Sequence, residues 1–225
     1  MSDFTFRRFA VAQDRCAMKV GTDGVLLGAW ADVHSSSRIL DLGTGTGLVA
    51  LMAAQRAPEA SVTAVELDSA AAGQAAENFA ASPFGDRLVA ICCDAAKFTA
   101  GMPFDHIVSN PPFFFSELKS PDAARSLARH VGGMSPEAIG ACADRLLTPV
   151  GRLSIIIPAS DEGRWWQGLA AGGFSPRRIC RVKTTLNKPP RRTLMEFGRG
   201  AGECVFDEIM IGGERFKQIT SEFYL

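Results

Sequence analysis

Short apolar runs alternate with alanine-rich stretches along most of the chain. The apolar runs are rich in β-branched residues and lie at 38–43, 61–68, 87–94, 104–110 and 151–158. Stretches of helical composition lie between or after them, at 47–57, 69–81, 135–147 and 164–174. We expect Ser69 to cap the second of these helices, and Ser135, followed by Pro136, to cap the third. Alternating strands and helices form right-handed crossovers, so the pattern predicts an α/β fold with a doubly wound, mostly parallel sheet.

The C-terminal part of the chain has a different pattern. Three apolar runs, at 177–184, 191–199 and 203–213, follow one another without a long helical stretch between them. Strands with short connections pair antiparallel, so these runs predict antiparallel strands, with a C-terminal hairpin at one edge of the sheet. We find no internal repeat and no linker, and we therefore expect a single domain over residues 1–225. An N-terminal helical or cap segment, 1–35, would precede a core with a basic C-terminal edge, 36–225.

Composition argues against a membrane-spanning, a secreted, a zinc-binding and a disulfide-rich protein. The 225 residues suffice to bury a core without disulfides. No run approaches the ~20 apolar residues that cross a bilayer. The start of the chain has no apolar segment of signal-peptide length, so we expect a cytoplasmic protein with no membrane partner. The six cysteines show no CxxC spacing, which argues against a zinc site or a disulfide framework. We expect the adjacent Cys92 and Cys93 to be small core residues.

A glycine-rich segment, DLGTGTG at 41–47, lies where the first strand of the alternating pattern turns into its helix. Gly43, Gly45 and Gly47 permit a tight turn and let a ligand approach the backbone closely. The spacing G-x-G-x-G fits the dinucleotide fingerprint G-x-G-x-x-G poorly. Taken alone, the segment is either a ligand-binding loop or a simple entry into a helix.

Two acidic residues strengthen the ligand-binding interpretation. Glu66 ends the second strand, where a carboxylate can accept both hydroxyls of a ribose, and Asp94 ends the third, where an adenine would lie. The carboxyl ends of parallel strands form the rim on which ligands of such sheets bind. Each acid alone could be a solvated carboxylate near a helix N-terminus. Together with the glycines they predict a nucleoside-containing ligand.

The segment SNPPFFF, 109–115, ends the fourth strand on the same rim. The side-chain oxygen of Asn110 and the carbonyl oxygen of Pro111 can accept hydrogen bonds from an exocyclic amine. These bonds would pull the nitrogen toward tetrahedral geometry and free its lone pair for nucleophilic attack. Pro111 and Pro112 stiffen the backbone and bring no N–H group, and Phe113 can stack on a planar base. Phe114 and Phe115 either extend this stacking surface or line the pocket as plain hydrophobic wall.

Charge is unevenly distributed along a chain whose 24 Lys and Arg balance its 24 Asp and Glu. The window 176–192 contains no acid. Its basic residues are Arg177, Arg178, Arg181, Lys183, Lys188, Arg191 and Arg192. A basic window on one edge of a neutral protein is typical of a nucleic-acid-binding surface. The alternative is a solvated charged face.

The D-x-G-x-G-x-G loop and the two acids resemble those of the S-adenosylmethionine-dependent methyltransferases of class I, which have a Rossmann-like fold. The resemblance implies S-adenosyl-L-methionine as the cofactor, S-adenosyl-L-homocysteine as the product, and no metal. Glu66 would then bind the ribose hydroxyls, Asp94 the adenine amino group, and Asp41 with the glycines the methionine and ribose. The full set of implied cofactor-binding residues is Lys19, Thr22, Asp41, Gly43, Gly45, Gly47, Glu66, Leu67, Asp94, Ala95 and Asn110.

The N-P-P-F sequence is similar to that of methyltransferases that act on adenine N6, guanine N2 or the glutamine side chain. Further stretches, at 6–30, 41–56, 109–114, 128–130, 188–197 and 223–225, resemble the bacterial tRNA (adenine-N6)-methyltransferases that modify A37 of valine tRNA. That resemblance implies a tRNA anticodon loop as the partner, with no obligate protein partner. It also places Lys19, Thr22 and Asp23 near the methionine end of the cofactor. The alternative is that Thr22 or Asp23 only caps a helix that starts at Gly24.

Three other functions stay open at this point. The same chemistry could act on guanine N2 in rRNA or on a protein glutamine, although a protein acceptor leaves the basic window unexplained. An RNA-binding module without activity would not require Asn110 or Glu66. A dinucleotide-dependent oxidoreductase is disfavoured by the glycine spacing and by the lack of an evident hydride-transfer site.

Overall fold

The structure, a computed structural model, describes residues 3–16, 18–112 and 134–224. Within these ranges the helices are α1 (Thr22–Trp30), α2 (Leu48–Arg56), α3 (Ser69–Ala80), α4 (Pro136–Leu146), α5 (Glu162–Ala170) and α6 (Glu214–Thr220). The first five strands are β1 (Phe4–Thr5), β2 (Ala10–Val11), β3 (Arg38–Leu42), β4 (Ser61–Glu66) and β5 (Leu88–Cys92). The others are β6 (Phe104–Ser109), β7 (Leu147–Pro158), β8 (Phe174–Lys183), β9 (Arg192–Arg199) and β10 (Val205–Met210). None of the helices in the described ranges is long and apolar enough to cross a membrane.

Eight strands form one sheet in the order β10-β8-β9-β7-β6-β3-β4-β5. The five strands from β7 to β5 run parallel, and β9 pairs antiparallel with both β7 and β8. This confirms the predicted Rossmann-like, doubly wound sheet with an antiparallel hairpin towards one edge. Because Pro158 pairs with Arg192, the β8–β9 connection lies at the same rim as the carboxyl ends of the parallel strands.

The last strand corrects the prediction that all three C-terminal strands are antiparallel. β10 pairs with β8 in parallel, in a register that starts with Val205 opposite Arg178. The parallel pairing follows from where β9 ends, because its last residue, Arg199, lies opposite Phe174, the first residue of β8. There the amide of Gly200 donates to the carbonyl oxygen of Gly173 at 2.9 Å, so the chain passes the start of β8 and then returns alongside it. The short connection between β9 and β10 therefore crosses β8 and does not form a hairpin.

Two local predictions about helix ends have different outcomes. Ser135 caps α4 as predicted, because its hydroxyl oxygen accepts from the amide of Ala138 at 3.2 Å. Ser69 does not cap α3. The cap is the preceding residue, Asp68, whose Oδ1 accepts from the amide of Ala71 at 2.8 Å. Asp and Ser are both good caps, so composition alone could not choose between neighbours.

Two hydrophobic clusters cover the two faces of the sheet. Neighbouring residues of β3 point to opposite faces, with Ile39 in one cluster and Leu40 in the other. Residues of α1, α2 and α3 belong to the first cluster, and those of α4 and α5 to the second. The N-terminal Phe6 and Phe9 are buried in the first cluster. Residues from both the N-terminal segment and the sheet region thus share one core.

The adjacent cysteines are a further correction. Cys92 is exposed and Cys93 is half-buried, whereas the sequence predicts both in the core. Cys92 is the last residue of β5, which is the outermost strand of the sheet on that side. Side chains on an edge strand stay open to solvent, whereas the same side chains on a central strand would be buried.

Candidate active site

A large cavity opens at the carboxyl ends of β3, β4 and β6, on the rim where ligands of doubly wound sheets bind. Its volume is about 1060 Å³. Its walls come from the segment before α1, the start of α1, the loop between β3 and α2, and the residues that follow β4, β5 and β6. The cavity is large enough for a nucleoside-containing ligand of the size that such sites accept.

The loop at 43–47, called the glycine loop below, requires its glycines. Gly43, Gly45 and Gly47 have φ angles of +71°, +56° and +85°, in the left-handed region where a side chain is strained. At Gly47 an added Cβ would also lie 2.4 Å from a ring carbon of Phe79. The loop thus brings bare backbone to the cavity wall.

Glu66 connects β4 to the glycine loop. Its Oε2 accepts from the amide of Gly45 at 2.9 Å, and its Oε1 accepts from the amide of Asp68 at 3.0 Å. A carboxylate has about four lone-pair sites, so both oxygens keep acceptor capacity for a ligand. The neighbouring Leu67 is 48% exposed and borders the cavity, where it offers an apolar surface.

Asp41 lies at the base of the glycine loop and also borders the cavity. It is only 1% exposed, and its Oδ2 accepts from the hydroxyl of Thr44 at 2.6 Å. Burial raises the pKa of Asp41 from 3.8 to about 7; the charge of Glu66 also raises it, and the hydrogen bond from Thr44 opposes the rise. This carboxyl group therefore changes its protonation state close to neutral pH.

The segment after β5 contributes less than the sequence predicts. Cys93 and Ala95 border the cavity, but Asp94 is not among its lining residues in the described part of the chain. The Oδ1 of Asp94 accepts from the amide of Ala96 at 2.9 Å and so closes the turn after the strand. The contact of Asp94 with an adenine amino group stays a prediction.

Asn110 reaches the cavity from the end of β6. The preceding residue, Ser109, is fully buried, and its hydroxyl donates to the carbonyl oxygen of Leu42 at 2.9 Å, which fixes the end of β6 against β3. The side-chain Oδ1 of Asn110 is shielded from solvent and has no hydrogen-bond partner within the described residues. Pro111 is buried and Pro112 borders the cavity. Phe113, Phe114 and Phe115 lie outside the described residues.

The start of α1 forms the opposite wall. Lys19, Thr22 and Asp23 all border the cavity. The helix begins at Thr22, and its N-cap is Gly21. Capping by Thr22 or Asp23 of a helix that starts at Gly24 is therefore not what the structure shows. The carboxylate of Asp23 instead accepts from the guanidinium of Arg192, with Oδ2 and Nε 2.8 Å apart.

Two side chains of α3 hold the segment before α1 in place. Asn78 accepts from the amide of Ala12 at 2.9 Å and donates to the carbonyl oxygens of Ala12 and Thr46 at 2.9 and 2.8 Å. Gln74 accepts from the amide of Arg15 at 3.0 Å. The two amides lie four residues apart, on one face of a helix that is otherwise rich in alanine. That spacing is the signal in the sequence that could have pointed to them.

The seven basic residues predicted to bind RNA do not form one surface. Arg177 and Arg178 lie near the start of β8, at the end of the sheet away from the cavity. Arg178 forms an ion pair with Glu196 at 3.1 Å, and its guanidinium lies 4.1 Å from the ring centroid of Trp30. Arg177 donates to the carbonyl oxygen of Arg199 at 2.7 Å. Both therefore make structural contacts far from the rim.

The other five basic residues lie towards the rim. Three of these form ion pairs, namely Arg181 with Glu162 at 2.8 Å, Lys183 with Glu208 at 2.7 Å and Arg192 with Asp23 at 2.8 Å. Lys188 and Arg191 are exposed in the β8–β9 connection, and neither forms an ion pair within 3–16, 18–112 and 134–224. Among the seven basic residues of this window, Lys188 and Arg191 are thus the two exposed cations that have no ion-pair partner in the described part of the chain.

Comparisons with known proteins agree with this geometry. The family model described as "Methyltransferase small domain" matches residues 19–160. The tRNA1(Val) (adenine(37)-N6)-methyltransferase of Aeromonas hydrophila is 44% identical over 100% of this chain and 98% of its own length. The protein of the same name from Bacteroides fragilis is 44% identical over 99% of this chain and 97% of its own length.

Solved structures show the same fold. A predicted O-methyltransferase from Agrobacterium tumefaciens superposes with a TM-score of 0.67 at 19% identity, over 89% of this chain and 96% of that one. TrmN from Thermus thermophilus superposes with a TM-score of 0.58 at 23% identity, over 78% of this chain and 48% of that one.

The sheet and its structural neighbours show the class I, Rossmann-like fold, and the family model shows that the chain is a methyltransferase. Within that class, the chain belongs to the methyltransferase small domain family and, inside it, to the family of the tRNA1(Val) (adenine(37)-N6)-methyltransferases. Membership of a methyltransferase family implies the use of S-adenosylmethionine. The residues present fit that cofactor, because Glu66 keeps acceptor capacity beside the bare backbone of the glycine loop and the apolar Leu67.

Proposed function

We propose that this protein transfers a methyl group from S-adenosylmethionine to N6 of adenine 37 in the anticodon loop of a valine tRNA, in the cytoplasm. The observation that carries the proposal is the buried Oδ1 of Asn110, which has no partner within the described residues and borders the same cavity as the glycine loop and Glu66. The names of the relatives in Aeromonas hydrophila and Bacteroides fragilis support the acceptor and the tRNA.

The cofactor is held, in this proposal, by residues from three walls of the cavity. Glu66 accepts hydrogen bonds from the ribose hydroxyls, the glycine loop faces the ribose and methionine, and Leu67 contacts the adenine face. When bound, the cofactor would supply an electrophilic methyl group to the amine lone pair, with S-adenosylhomocysteine as the leaving group and the surplus proton of the methylated amine lost to solvent. Lys19 and Thr22 line the methionine end of the cavity.

Asn110 and Pro111 act on the nucleophile. The N6 lone pair of adenine is delocalised into the ring and is a poor nucleophile. Hydrogen bonds from its two N–H groups to Oδ1 of Asn110 and to the carbonyl oxygen of Pro111 pull the nitrogen toward tetrahedral geometry. The stiff Pro111–Pro112 pair holds this carbonyl in place, and Phe113 stacks on the base. The remaining task is positioning, which contributes much of the rate in such transfers.

The RNA is held at the rim. Lys188 and Arg191 are exposed cations of the β8–β9 connection, and the residue that follows Arg191, Arg192, borders the cavity. A base inside a helical stem cannot enter the cavity, so the substrate base must lie in a loop or be flipped out. The bases of an anticodon loop are not paired within a helical stem, so they meet this condition.

The proposal is tested with tRNA transcribed without modifications and with rRNA that lacks modifications. Each RNA is incubated with this protein and labelled S-adenosylmethionine and then digested to nucleosides for mass spectrometry. We expect N6-methyladenosine from tRNA, at position 37 when fragments are mapped. Label recovered only as N2-methylguanosine from rRNA would reject the proposed acceptor. Absence of label from both RNAs, with a protein that binds the cofactor, would reject RNA as the substrate.

A further inference from the structure

The proposed mechanism requires the side-chain oxygen of Asn110 to face the amine of the base, and the amide group cannot ensure this orientation by itself. A carboxamide has an oxygen at one end, which accepts, and an NH2 group at the other, which only donates. The two ends have nearly the same shape, so packing alone does not distinguish the two orientations. Only the orientation with the oxygen toward the amine of the base supports the reaction. Some neighbouring group must therefore bind the NH2 end.

Met18 is the neighbour at that end. The Nδ2 of Asn110 lies 3.8 Å from the sulfur of Met18, in the geometry of a hydrogen bond to sulfur. A thioether sulfur accepts hydrogen bonds weakly and cannot donate. It therefore favours the NH2 end of the amide over the oxygen end. Both residues border the cavity, and Oδ1 is left without a partner within the described residues.

The chain around Met18 is anchored, which gives this weak contact a defined position. The side-chain oxygen of Gln13 accepts from the amide of Val20 at 2.8 Å, and the backbone oxygen of Gln13 accepts from the ammonium of Lys19. These bonds close a loop that carries Met18 between them. The start of this loop is fixed to α3 through the hydrogen bond between the Arg15 amide and Gln74.

We propose that Met18 is a positioning residue for the methyl transfer: its sulfur accepts from Nδ2 of Asn110 and so holds Oδ1 toward the amine of the substrate base. This inference rests on the proposed function of Asn110 and adds the residue that orients it. It also assigns a role to the N-terminal segment, which brings the sulfur to the cavity.

Replacement of Met18 by Leu tests the sulfur and retains the apolar bulk. With no acceptor at this position, nothing favours the NH2 end of the amide here over the oxygen end, and the productive orientation is depleted. We expect kcat to fall about three- to tenfold, the range for loss of one neutral hydrogen bond. The KM for tRNA and the Kd for the cofactor should change less than about twofold. Met18→Gln should restore kcat to within about threefold of wild type, because its carbonyl oxygen accepts from Nδ2.

The matched control is Met102→Leu. Met102 is 61% exposed and precedes β6 at the end away from the cavity, and its replacement should leave kcat and KM unchanged. Thermal melting of each variant checks that the fold is retained. An equal loss in the Leu and Gln variants would show that Met18 acts by shape alone and would overturn the proposal, as would a Met18→Leu enzyme with wild-type kcat.

A second background separates orientation from packing. Asn110→Asp presents an oxygen at both ends, so it has no wrong orientation to suppress. In that background, Met18→Leu should cost less than about twofold, and a loss as large as in the wild-type background would contradict the inference. If Asn110→Asp is too slow to compare, the contrast between Leu and Gln decides alone. The proposed function is tested separately, by identifying the nucleoside that the wild-type protein methylates. If that nucleoside is not N6-methyladenosine, the Met18 variants are compared on the acceptor that the wild-type protein does use.

Discussion

Arg192, the first residue of β9, forms an ion pair with Asp23 in the first turn of α1, and the Nε and Oδ2 atoms lie 2.8 Å apart. The two residues are 169 positions apart in the chain, and both border the rim cavity. The basic C-terminal window is thereby joined to the N-terminal wall of the cavity. Arg192 belongs to the wall of the cavity as well as to the basic window.

Replacement of Arg192 by Ala should therefore weaken cofactor binding. Without its partner, the start of α1 loses a tie to the sheet, and the cavity wall loosens. The side chains of Arg192 and Asp23 are 33% and 24% exposed, and such a pair contributes about 1 kcal/mol at most, so we expect the Kd to rise up to about fivefold. Calorimetric titration with S-adenosylmethionine measures it. Asp23→Asn should give a similar loss, with no further loss in the double variant, whereas Arg191→Ala should give none.

Lys188 and Arg191 should carry the salt-dependent part of tRNA binding. The double variant Lys188→Gln, Arg191→Gln removes both exposed rim charges. Each lost phosphate contact lowers the slope of log Kobs against log salt by about 0.7 to 0.9, which filter binding at several salt concentrations resolves. Arg177→Gln is the matched control, because it removes a charge from the same window at the far end of the sheet and keeps a donor for the carbonyl oxygens there. Equal slopes for all three proteins would show that this connection does not touch RNA.

Asn110→Ala should separate binding from chemistry. The variant removes the buried acceptor but no described contact to the glycine loop or Glu66. We expect the cofactor Kd to change less than about threefold and kcat to fall about 100-fold or more, as for loss of a directed transition-state contact. Single-turnover methylation of tRNA and cofactor titration of the same preparation give both numbers. Full activity of this variant would refute the proposed role of Asn110.

Gly47→Ala should destabilise the protein by about 2–4 kcal/mol. The left-handed φ of +85° strains any side chain, and the new Cβ would overlap the ring of Phe79, which is 2% exposed and cannot move freely. Urea unfolding measures the change. Gly73→Ala in α3 is the control, because no atom lies within 4 Å of its Cβ position and alanine should gain about 0.5–1 kcal/mol there. A stable Gly47→Ala protein would show that the loop can adopt another conformation.

Asp41 should make the ligand-free protein less stable as pH rises. Because the folded protein holds this proton more tightly than the unfolded chain, the contribution of Asp41 favours folding at low pH and is lost between pH 3.8 and about 7. Asp41→Asn has no proton to lose and keeps an acceptor for Thr44. Its free energy of unfolding, relative to wild type, should therefore rise across this window by up to ~4 kcal/mol. Denaturant titrations at pH 4, 6 and 8 check the trend, and a constant difference would contradict it.

The sheet and the cavity could be predicted because their signals are local. Each strand of the parallel part contains a short apolar run, the glycine loop follows β3, Glu66 ends β4, and the parallel arrangement brings these carboxyl ends together. Gly43, Gly45, Gly47 and Glu66 could thus be assigned to one rim from the sequence alone. The direction of β10 could not be predicted from the sequence, because it depends on where the chain crosses β8. Residues 200–204 contain no recognisable pattern that indicates this crossing.

The basic window shows why charge is harder to predict than fold. Within 176–192 no acid is present, yet the partners of its cations come from elsewhere in the chain. Glu196 pairs with Arg178, Glu162 with Arg181 and Glu208 with Lys183. A count of charges within a sequence window leaves out the acidic residues that only folding brings next to the basic residues of that window. In the same way, the spacing of Gln74 and Asn78 can mark them as a pair, but their partners in the N-terminal segment appear only in the folded chain.

The contact between the N-terminal segment and the last residues has a consequence for the order of folding. The amide of Arg7 donates to the carbonyl oxygen of Phe223 at 2.9 Å, and the guanidinium of Arg7 donates to the backbone of Tyr224, 217 positions away. The rings of Phe6 and Tyr224 stack, with centroids 6.2 Å apart. Contacts so distant in sequence form late, since they close a very long loop. During synthesis, Phe6 therefore leaves the ribosome long before Tyr224, and its ring cannot complete its packing until the residues around Tyr224 have also emerged.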